Sequence, residues 1–211
     1  MDFDNNFLRC ELDSHADTCL AGRNFIAYEY TDQSVSIQGF DDNSKPVKNV
    51  PIATCMTAMT LPDGETIILV VHQALYLGNR QKHSLLCPNQ MRKHGIRVDD
   101  CPIHLCMGMK STHSIIVKEE DLVIPLNLER VISYFNSHQP SSKEIDECRH
   151  IELTSNMPWN PMSDELEQDE ENYTSKTSGD TEARHKVAAS RRGNEIDIVM
   201  ESVGPLLSDN F

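Results

Sequence analysis

The sequence predicts a mainly β fold with one short helix, followed by extra strands and an acidic, largely disordered tail. Short apolar runs alternate with turn signals through the first two thirds of the 211 residues, which is typical of β-hairpins. The hydrophobic fraction is only 38%, which is low for a chain packed throughout. We therefore expect a small domain and a tail.

Three strands are predicted in the first 59 residues, and polar segments separate them. Residues 7–12 form a strand that leads into a polar loop, and the alternation of Val35 and Ile37 indicates a strand with one buried face. The polar run at residues 41–46 predicts a turn, because Asp, Asn, Ser and Pro favour turns. Strand signals resume over residues 47–59, so these segments predict a hairpin.

A second hairpin and the short helix follow. Residues 61–65 contain Pro-Asp-Gly, a strong turn signal, and a buried strand is predicted over residues 66–77. Pro88 suits a first helical turn, and basic residues before Gly95 suit a helix end. These elements predict a core domain at residues 8–95.

The remainder of the chain divides into further strands and a tail. Residues 96–139 contain four strand-like segments, which we expect to pack on the core as additional hairpins. Residues 140–211 carry 16 acidic and 7 basic side chains, a net charge of −9. Such a segment cannot bury enough apolar surface to offset its ordering entropy, so we predict a mostly disordered linker or tail. Ser141 followed by Glu144 nevertheless suits the start of a short helix.

The most informative local motif is Asp13-Ser14-His15-Ala16-Asp17, which follows the first predicted strand. It resembles the Asp-Ser/Thr-Gly-Ala loop of retroviral and retrotransposon aspartic proteases. In those proteases each of two subunits supplies one aspartate. The resemblance implies a retropepsin-like closed barrel, the acid-protease fold.

Downstream segments extend the resemblance. Leu75-Tyr76-Leu77-Gly78 followed by residues 84–91 resembles the order of segments in copia-type retrotransposon proteases. Residues 150–161 resemble a linker that follows the protease in some copia-like polyproteins. The resemblance spans residues 8–170, and the first hundred residues carry its specific part.

The predicted chemistry needs a pair of carboxyl groups. Peptide hydrolysis without a metal or a covalent nucleophile needs one carboxylate to deprotonate water and a second, protonated carboxyl group to polarise the carbonyl. Two carboxyl groups in contact share one proton, because both cannot ionise cheaply. The chain has one such motif, so the second aspartate must come from an identical subunit. We expect a homodimeric aspartic endopeptidase with Asp13 as its catalytic residue, no cofactor, and a retrotransposon polyprotein as its polypeptide substrate.

The resemblance also assigns roles to neighbouring residues. It implies that Ser14 bonds to the other subunit's loop and that Ala16 stays small where two loops approach. It implies that Asp17 contacts the substrate backbone and that Gly39 belongs to a flap formed by the first hairpin.

His15 departs from the family motif, which has glycine at this position. Glycine permits backbone conformations and close approaches that a side chain resists, and an imidazolium would favour an ionised aspartate. The alternative is therefore a catalytically inactive, protease-like module for dimerisation or peptide binding.

Composition argues against several other classes of function. The net charge of −14 and the lack of a basic stripe disfavour nucleic-acid binding by this chain. The start of the chain lacks the features of a signal peptide, and no apolar run approaches the length of a membrane span, so we expect an intracellular, cytoplasmic protein without membrane contact. No Gly-x-x-x-x-Gly-Lys loop occurs, which disfavours nucleotide hydrolysis.

The seven cysteines indicate neither a disulfide framework nor a metal site. Cys101, His104 and Cys106 are chemically suitable for zinc, but their spacing lacks the paired ligands of zinc ribbons and fingers. We therefore expect no metal. Cys19 lies near Asp13 in sequence, and we interpret it as a packing residue rather than a nucleophile.

Overall fold

The computed structural model describes residues 8–38, 45–106 and 110–176, and it confirms the mainly β fold. The chain divides into two compact units, Met1–Pro161 and Met162–Phe211. Among the described residues of the second unit, one helix is found, α3 (Glu165–Lys176). No helix in the described ranges is long and apolar enough to cross a membrane.

The first unit contains all of the described strands, two short α-helices and three 3-10 helices (Gly78–Arg80, Ile103–Leu105 and Lys118–Glu120). The strands are β1 (Leu8–Leu12), β2 (Leu20–Ala21), β3 (Ile26–Ile37), β4 (Val47–Thr60), β5 (Thr66–Tyr76), β6 (Ser84–Leu86), β7 (Arg97–Asp99), β8 (Ser114–Val117), β9 (Leu122–Pro125), β10 (Asn127–Glu129), β11 (Ile132–Ser137) and β12 (Arg149–Glu152). The α-helices are α1 (Pro88–Lys93) and α2 (Ser142–Glu147). The sequence predicts one short helix in the core domain, which is α1, and α2 begins at the Ser141 cap.

Most strands belong to one large sheet. Their order is β10-β11-β1-β6-β2-β5-β4-β3, with β12 parallel to the first half of β5. A separate three-stranded sheet has the order β7-β8-β9. Among the described residues the path of the large sheet remains open, because β3 pairs only with β4 and β10 only with β11. This arrangement differs from the closed barrel that we expected.

The predicted turn between β4 and β5 is confirmed. Leu61 donates its backbone N–H to the Glu65 carbonyl at 2.7 Å, and Gly64 adopts a φ of +94°, which glycine tolerates best. The predicted helix after Pro88 is also confirmed, and the Cys87 sulfur accepts from the Gln90 N–H at its start. Local turn and cap chemistry therefore sets the bounds of these elements.

The predicted strand containing Val35 and Ile37 is confirmed as part of β3. The prediction that one face of this strand is buried is only partly correct. Val35 is 37% exposed, whereas Ile37 packs against a small apolar cluster, and the register of pairing between β3 and β4 shifts between these two residues. The turn predicted at residues 41–46 lies largely outside the described residues.

A single main hydrophobic core crosses the boundaries that the sequence placed at residues 95 and 140. Phe135 of β11, Ile151 of β12 and Leu153 are fully or almost fully buried in the same cluster as Phe25 and Ile67. Residues 149–153 therefore belong to the fold, which differs from the disordered linker predicted from residue 140. The reason is the parallel pairing of β12 with β5, which satisfies the backbone of a polar segment.

A buried polar network around Asn24, in the turn between β2 and β3, links β6 and β11. Asn24 is fully buried, donates to the Ser137 hydroxyl at 2.6 Å, and accepts from the Ser84 hydroxyl at 2.5 Å. Ser84 in turn accepts from the Gly22 N–H at 2.8 Å. Because β6 and β11 flank β1, this network fixes the strand that leads into the Asp13 loop.

Candidate functional site

The predicted catalytic loop, residues 13–19, joins β1 to β2, and β6 lies between these two strands. β6 is parallel to β1 and antiparallel to β2. The Asp13 N–H donates to the Leu86 carbonyl at 3.0 Å, so the loop begins against the carboxyl end of β6. Strand pairing therefore places Asp13 at a fixed point on the sheet.

Asp13 closes a tight turn with its own loop. Its Oδ1 accepts from the His15 N–H at 2.9 Å, and its carbonyl accepts from the Ala16 N–H at 3.2 Å. Asp13 is half-buried, and among the described residues its Oδ2 has no hydrogen-bond partner. The carboxylate is therefore oriented by one oxygen, and the other can meet water or a second carboxyl group.

The structure keeps the predicted site residues of the loop together and leaves three of them exposed. Ser14, His15 and Asp17 are exposed, whereas Ala16 is half-buried and packs against the main core. Gly39, the residue predicted to belong to a flap, lies outside the described residues.

His15 does not strain the backbone of the loop. It is not among the described non-glycine residues with a positive φ, so its position does not require glycine for conformational reasons. Its side chain is exposed, and the hydrogen bond to Asp13 uses only its backbone N–H. Within one subunit, histidine is therefore compatible with this loop geometry.

Gln90 anchors the other end of the loop and was missed by the sequence analysis. This side chain from α1 is 3% exposed, and its Oε1 accepts from the Cys19 N–H at 2.8 Å. Its Nε2 donates to the His72 and Gln73 carbonyls, each at 3.4 Å. One side chain thus joins the loop, α1 and the middle of β5.

The cysteines beneath the loop are packing residues. Cys19 is fully buried, and its sulfur accepts from the Cys87 N–H at 3.2 Å. Burial raises the pKa of both thiols, and it raises the pKa of the Cys10 and Cys55 thiols to about 12. A thiolate nucleophile is therefore disfavoured at these positions.

Trp159 contacts the loop from a distant part of the sequence. Its Nε1 donates to the Asp17 carbonyl at 2.9 Å, across a separation of 142 residues. In the sequence it stands alone in a polar segment, and no local signal indicates this contact.

The region considered for zinc contains two adjacent thiols. Cys106 donates to the Pro102 carbonyl at 3.4 Å, and its contact with Cys101 raises the pKa of the Cys101 thiol to about 11. In the part of the chain that the structure describes, no group of three or more His, Cys, Asp or Glu side chains is arranged to hold a metal ion.

The candidate site is therefore an accessible carboxylate on a loop that is anchored at both ends. The reaction that this carboxylate can support depends on which group lies opposite Asp13. No protein-family model, curated protein or solved structure matches this chain.

Proposed function

We propose that this chain is one subunit of a homodimeric, retropepsin-like aspartic endopeptidase that processes a copia-type retrotransposon polyprotein. The observation that carries the proposal is the Asp13 carboxylate, which is half-buried, oriented by the His15 N–H and accessible through Oδ2. A second Asp13 from a symmetric copy would complete a carboxyl pair.

In the proposed reaction the two Asp13 carboxyl groups share one proton. The ionised group takes a proton from water as the water oxygen attacks the scissile carbonyl carbon. The protonated group donates its proton to the carbonyl oxygen, which gives a neutral tetrahedral intermediate. The carboxyl group that took the proton from water then donates it to the amide nitrogen, while the other carboxylate accepts a proton from a hydroxyl group of the intermediate. The carbon–nitrogen bond breaks to give an amine and a carboxylic acid, and the pair returns to its singly protonated state.

The anchoring of the loop supports this chemistry. A catalytic carboxylate has to be held close to its productive geometry, and rigid elements do this better than free loops. Asp13 is fixed to β6 through Leu86, and Cys19 is fixed to α1 through Gln90. The exposed Ser14 hydroxyl remains able to bond to the loop of a second subunit.

The hairpin of β3 and β4 supports the proposed flap. It follows the Asp13 loop, and β3 forms the edge of the large sheet. Tyr28 and Tyr30 are exposed on this strand, and Tyr30 packs edge-on against Tyr76 at 6.1 Å between ring centroids. A hairpin with an exposed aromatic face suits a cover for a bound peptide.

The second candidate function is an inactive dimerisation or peptide-binding module. The exposed His15 side chain favours it, because this side chain stands two residues from Asp13 where the family motif has none. An imidazolium at the dimer axis would favour two ionised aspartates and oppose the shared proton.

The test is cleavage of a peptide library by the purified protein and by Asp13→Asn. Asparagine keeps a side-chain oxygen that can accept from the His15 N–H, so the loop geometry is preserved. The matched control is Asp63→Asn, because Asp63 accepts from the N–H two residues later at 3.0 Å in the same way. The proposal predicts acid-favoured cleavage that Asp13→Asn abolishes and Asp63→Asn retains. Cleavage that survives Asp13→Asn assigns the activity elsewhere, and peptide binding without any cleavage supports the second candidate.

A further inference from the structure

A segment near the end of the first unit runs from the sheet to the Asp13 loop. This segment, residues 153–159, is called the strap here. The Leu153 N–H donates to the Val70 carbonyl at 2.9 Å, and the Thr154 hydroxyl donates to the His72 carbonyl at 2.9 Å. Leu153 and Thr154 are both fully buried, so the strap begins in the core.

The strap then contacts the part of β5 where its pairing with β4 shifts register. The Gln73 side chain donates to the Asn156 carbonyl at 3.4 Å, and Gln73 itself has a φ of +53°, in the left-handed region. The Gln90 side chain also donates to the His72 and Gln73 carbonyls. The strap and Gln90 therefore attach to the same irregular part of β5, where Gln73 is in the left-handed region.

At the end of the strap, Trp159 provides a third anchor of the loop. The loop ends are held by Asp13 through Leu86 and by Cys19 through Gln90. Among the described residues, the Trp159 bond to the Asp17 carbonyl is the one hydrogen bond that reaches positions 14–18 from outside the loop. Trp159 is half-buried, and its indole N–H donates to Asp17 in an exposed part of the loop.

We propose that Trp159 is a positioning residue for the Asp13 loop. Its indole N–H fixes the Asp17 carbonyl, and thereby holds the peptide unit that carries the Asp17 side chain toward the substrate backbone. This role rests on the proposed function, because it assigns the fixed Asp17 to peptide binding. In this proposal the strap helps to position the site, and it is not only a linker that follows the protease domain.

The first test measures hydrogen exchange in the loop of the free protein, without any substrate. Trp159→Phe keeps most of the ring and removes the N–H donor. We expect hydrogen exchange of the backbone amides at positions 14–18 to become about five-fold faster, the effect of losing one ordinary hydrogen bond. Met157→Leu is the matched control, because Met157 is 68% exposed on the same strap, and its variant should exchange like the wild type.

Trp159→Ala distinguishes the effect of losing the hydrogen bond from the effect of losing the packing of the ring. If the N–H fixes the loop, the Phe and Ala variants loosen it to a similar extent. If Trp159→Phe exchanges like the wild type and only Trp159→Ala is loosened, the ring acts by packing and the inference is overturned.

The second test measures peptide cleavage. We expect Trp159→Phe to raise KM by about three- to ten-fold, as for the loss of one positioned contact, with kcat and the pH profile little changed. A loss of kcat at constant KM would contradict a role in positioning the substrate. Failure of the proposed function is distinguishable from this result. In that case the wild type cleaves no peptide, although Trp159→Phe still speeds hydrogen exchange in the loop.

Discussion

Gln90 is the buried side chain on which the carboxyl end of the Asp13 loop depends. Replacing Gln90 by leucine removes the side-chain bonds to the Cys19 N–H and to the His72 and Gln73 carbonyls, of which the His72 carbonyl keeps its bond from the Thr154 hydroxyl. We expect the free energy of unfolding to fall by about 2–4 kcal/mol, because buried polar groups without partners are costly. Urea denaturation followed by circular dichroism measures this change.

The control for Gln90 is its neighbour on the same helix. Asn89 is exposed, and within the part of the chain that the structure describes its side chain accepts a hydrogen bond from Arg92 alone. Asn89→Ala should change the free energy of unfolding by no more than about 0.5 kcal/mol. Equal effects of the two variants would show that Gln90 acts through helix propensity and not through the loop.

His15 is the residue that separates the two candidate functions. In His15→Gly the backbone N–H that binds Asp13 is kept, and the unfolded chain gains conformational freedom. We expect the free energy of unfolding to fall by about 0.5–1 kcal/mol and kcat/KM for peptide cleavage to stay within about three-fold of the wild-type value. Thermal unfolding and the cleavage assay measure the two quantities. An increase of two orders of magnitude in kcat/KM would instead mark the histidine as an inactivating residue.

The loop motif itself could be predicted, but its anchors could not. Asp13 to Asp17 are contiguous, so the motif is visible in the sequence. Gln90 and Trp159 bind the loop across 71 and 142 residues, and such contacts depend on how the strands pair. Each was a polar or aromatic side chain without a distinguishing local pattern.

The start of α2 is stabilised by reciprocal hydrogen bonds. Ser141 accepts from the Glu144 N–H at 3.3 Å, and the Glu144 carboxylate accepts from the Ser141 N–H at 2.8 Å. The Ser141 backbone bond, with further bonds from the His138 and Ser141 side chains, lowers the pKa of Glu144 from 4.5 to about 2. The ionised form of Glu144 is therefore favoured by folding.

This lowered pKa predicts a pH-dependent effect of Glu144→Gln. At pH 7 the variant should be less stable by about 1 kcal/mol, a value reduced for the partial exposure of the carboxylate. The lowered pKa means that the stabilisation is complete above the unfolded value of 4.5 and is lost as the pH falls toward about 2. Urea denaturation of both proteins at several pH values measures the difference. A difference that stays constant down to pH 2 would contradict the assigned role of the carboxylate.

Elements bounded by local signals were predictable, and an element that depends on pairing was not. The turn at residues 61–65, the helix after Pro88 and the hairpin of β8 and β9 have turn or cap residues at their ends. By contrast, β12 has four residues, of which only Ile151 is buried. It forms a strand because its backbone pairs with the edge of β5, and the paired residues of β5 lie more than seventy positions earlier in the chain.

The distribution of the core predicts which fragment can fold. A fragment of residues 1–95 lacks β11, the partner of β1, and β12, the partner of β5. It also loses the buried Phe135, Ile151 and Leu153. Removal of each large core side chain costs about 2–5 kcal/mol, and together they exceed the usual stability of a small domain.

We therefore expect residues 1–95 to be unfolded and residues 1–161 to fold cooperatively. Urea titration with circular dichroism distinguishes the two outcomes. A cooperative transition in the shorter fragment would show that the core closes near residue 95, as the sequence alone suggested.

At the scale of the whole molecule, the central claim is that two copies share one active site. Each subunit offers one Asp13, so an Asp13→Asn subunit paired with a wild-type subunit has half of a catalytic pair. Mixtures of the two proteins at constant total concentration, after subunit exchange, therefore report whether the site is shared.

The most direct measurement is the peptide-cleavage rate of an equal mixture of wild-type and Asp13→Asn protein. If both carboxyl groups are required, only wild-type pairs are active and the rate falls to about one quarter of the wild-type rate. A rate of about one half would show that each subunit acts alone, and would contradict the shared carboxyl pair.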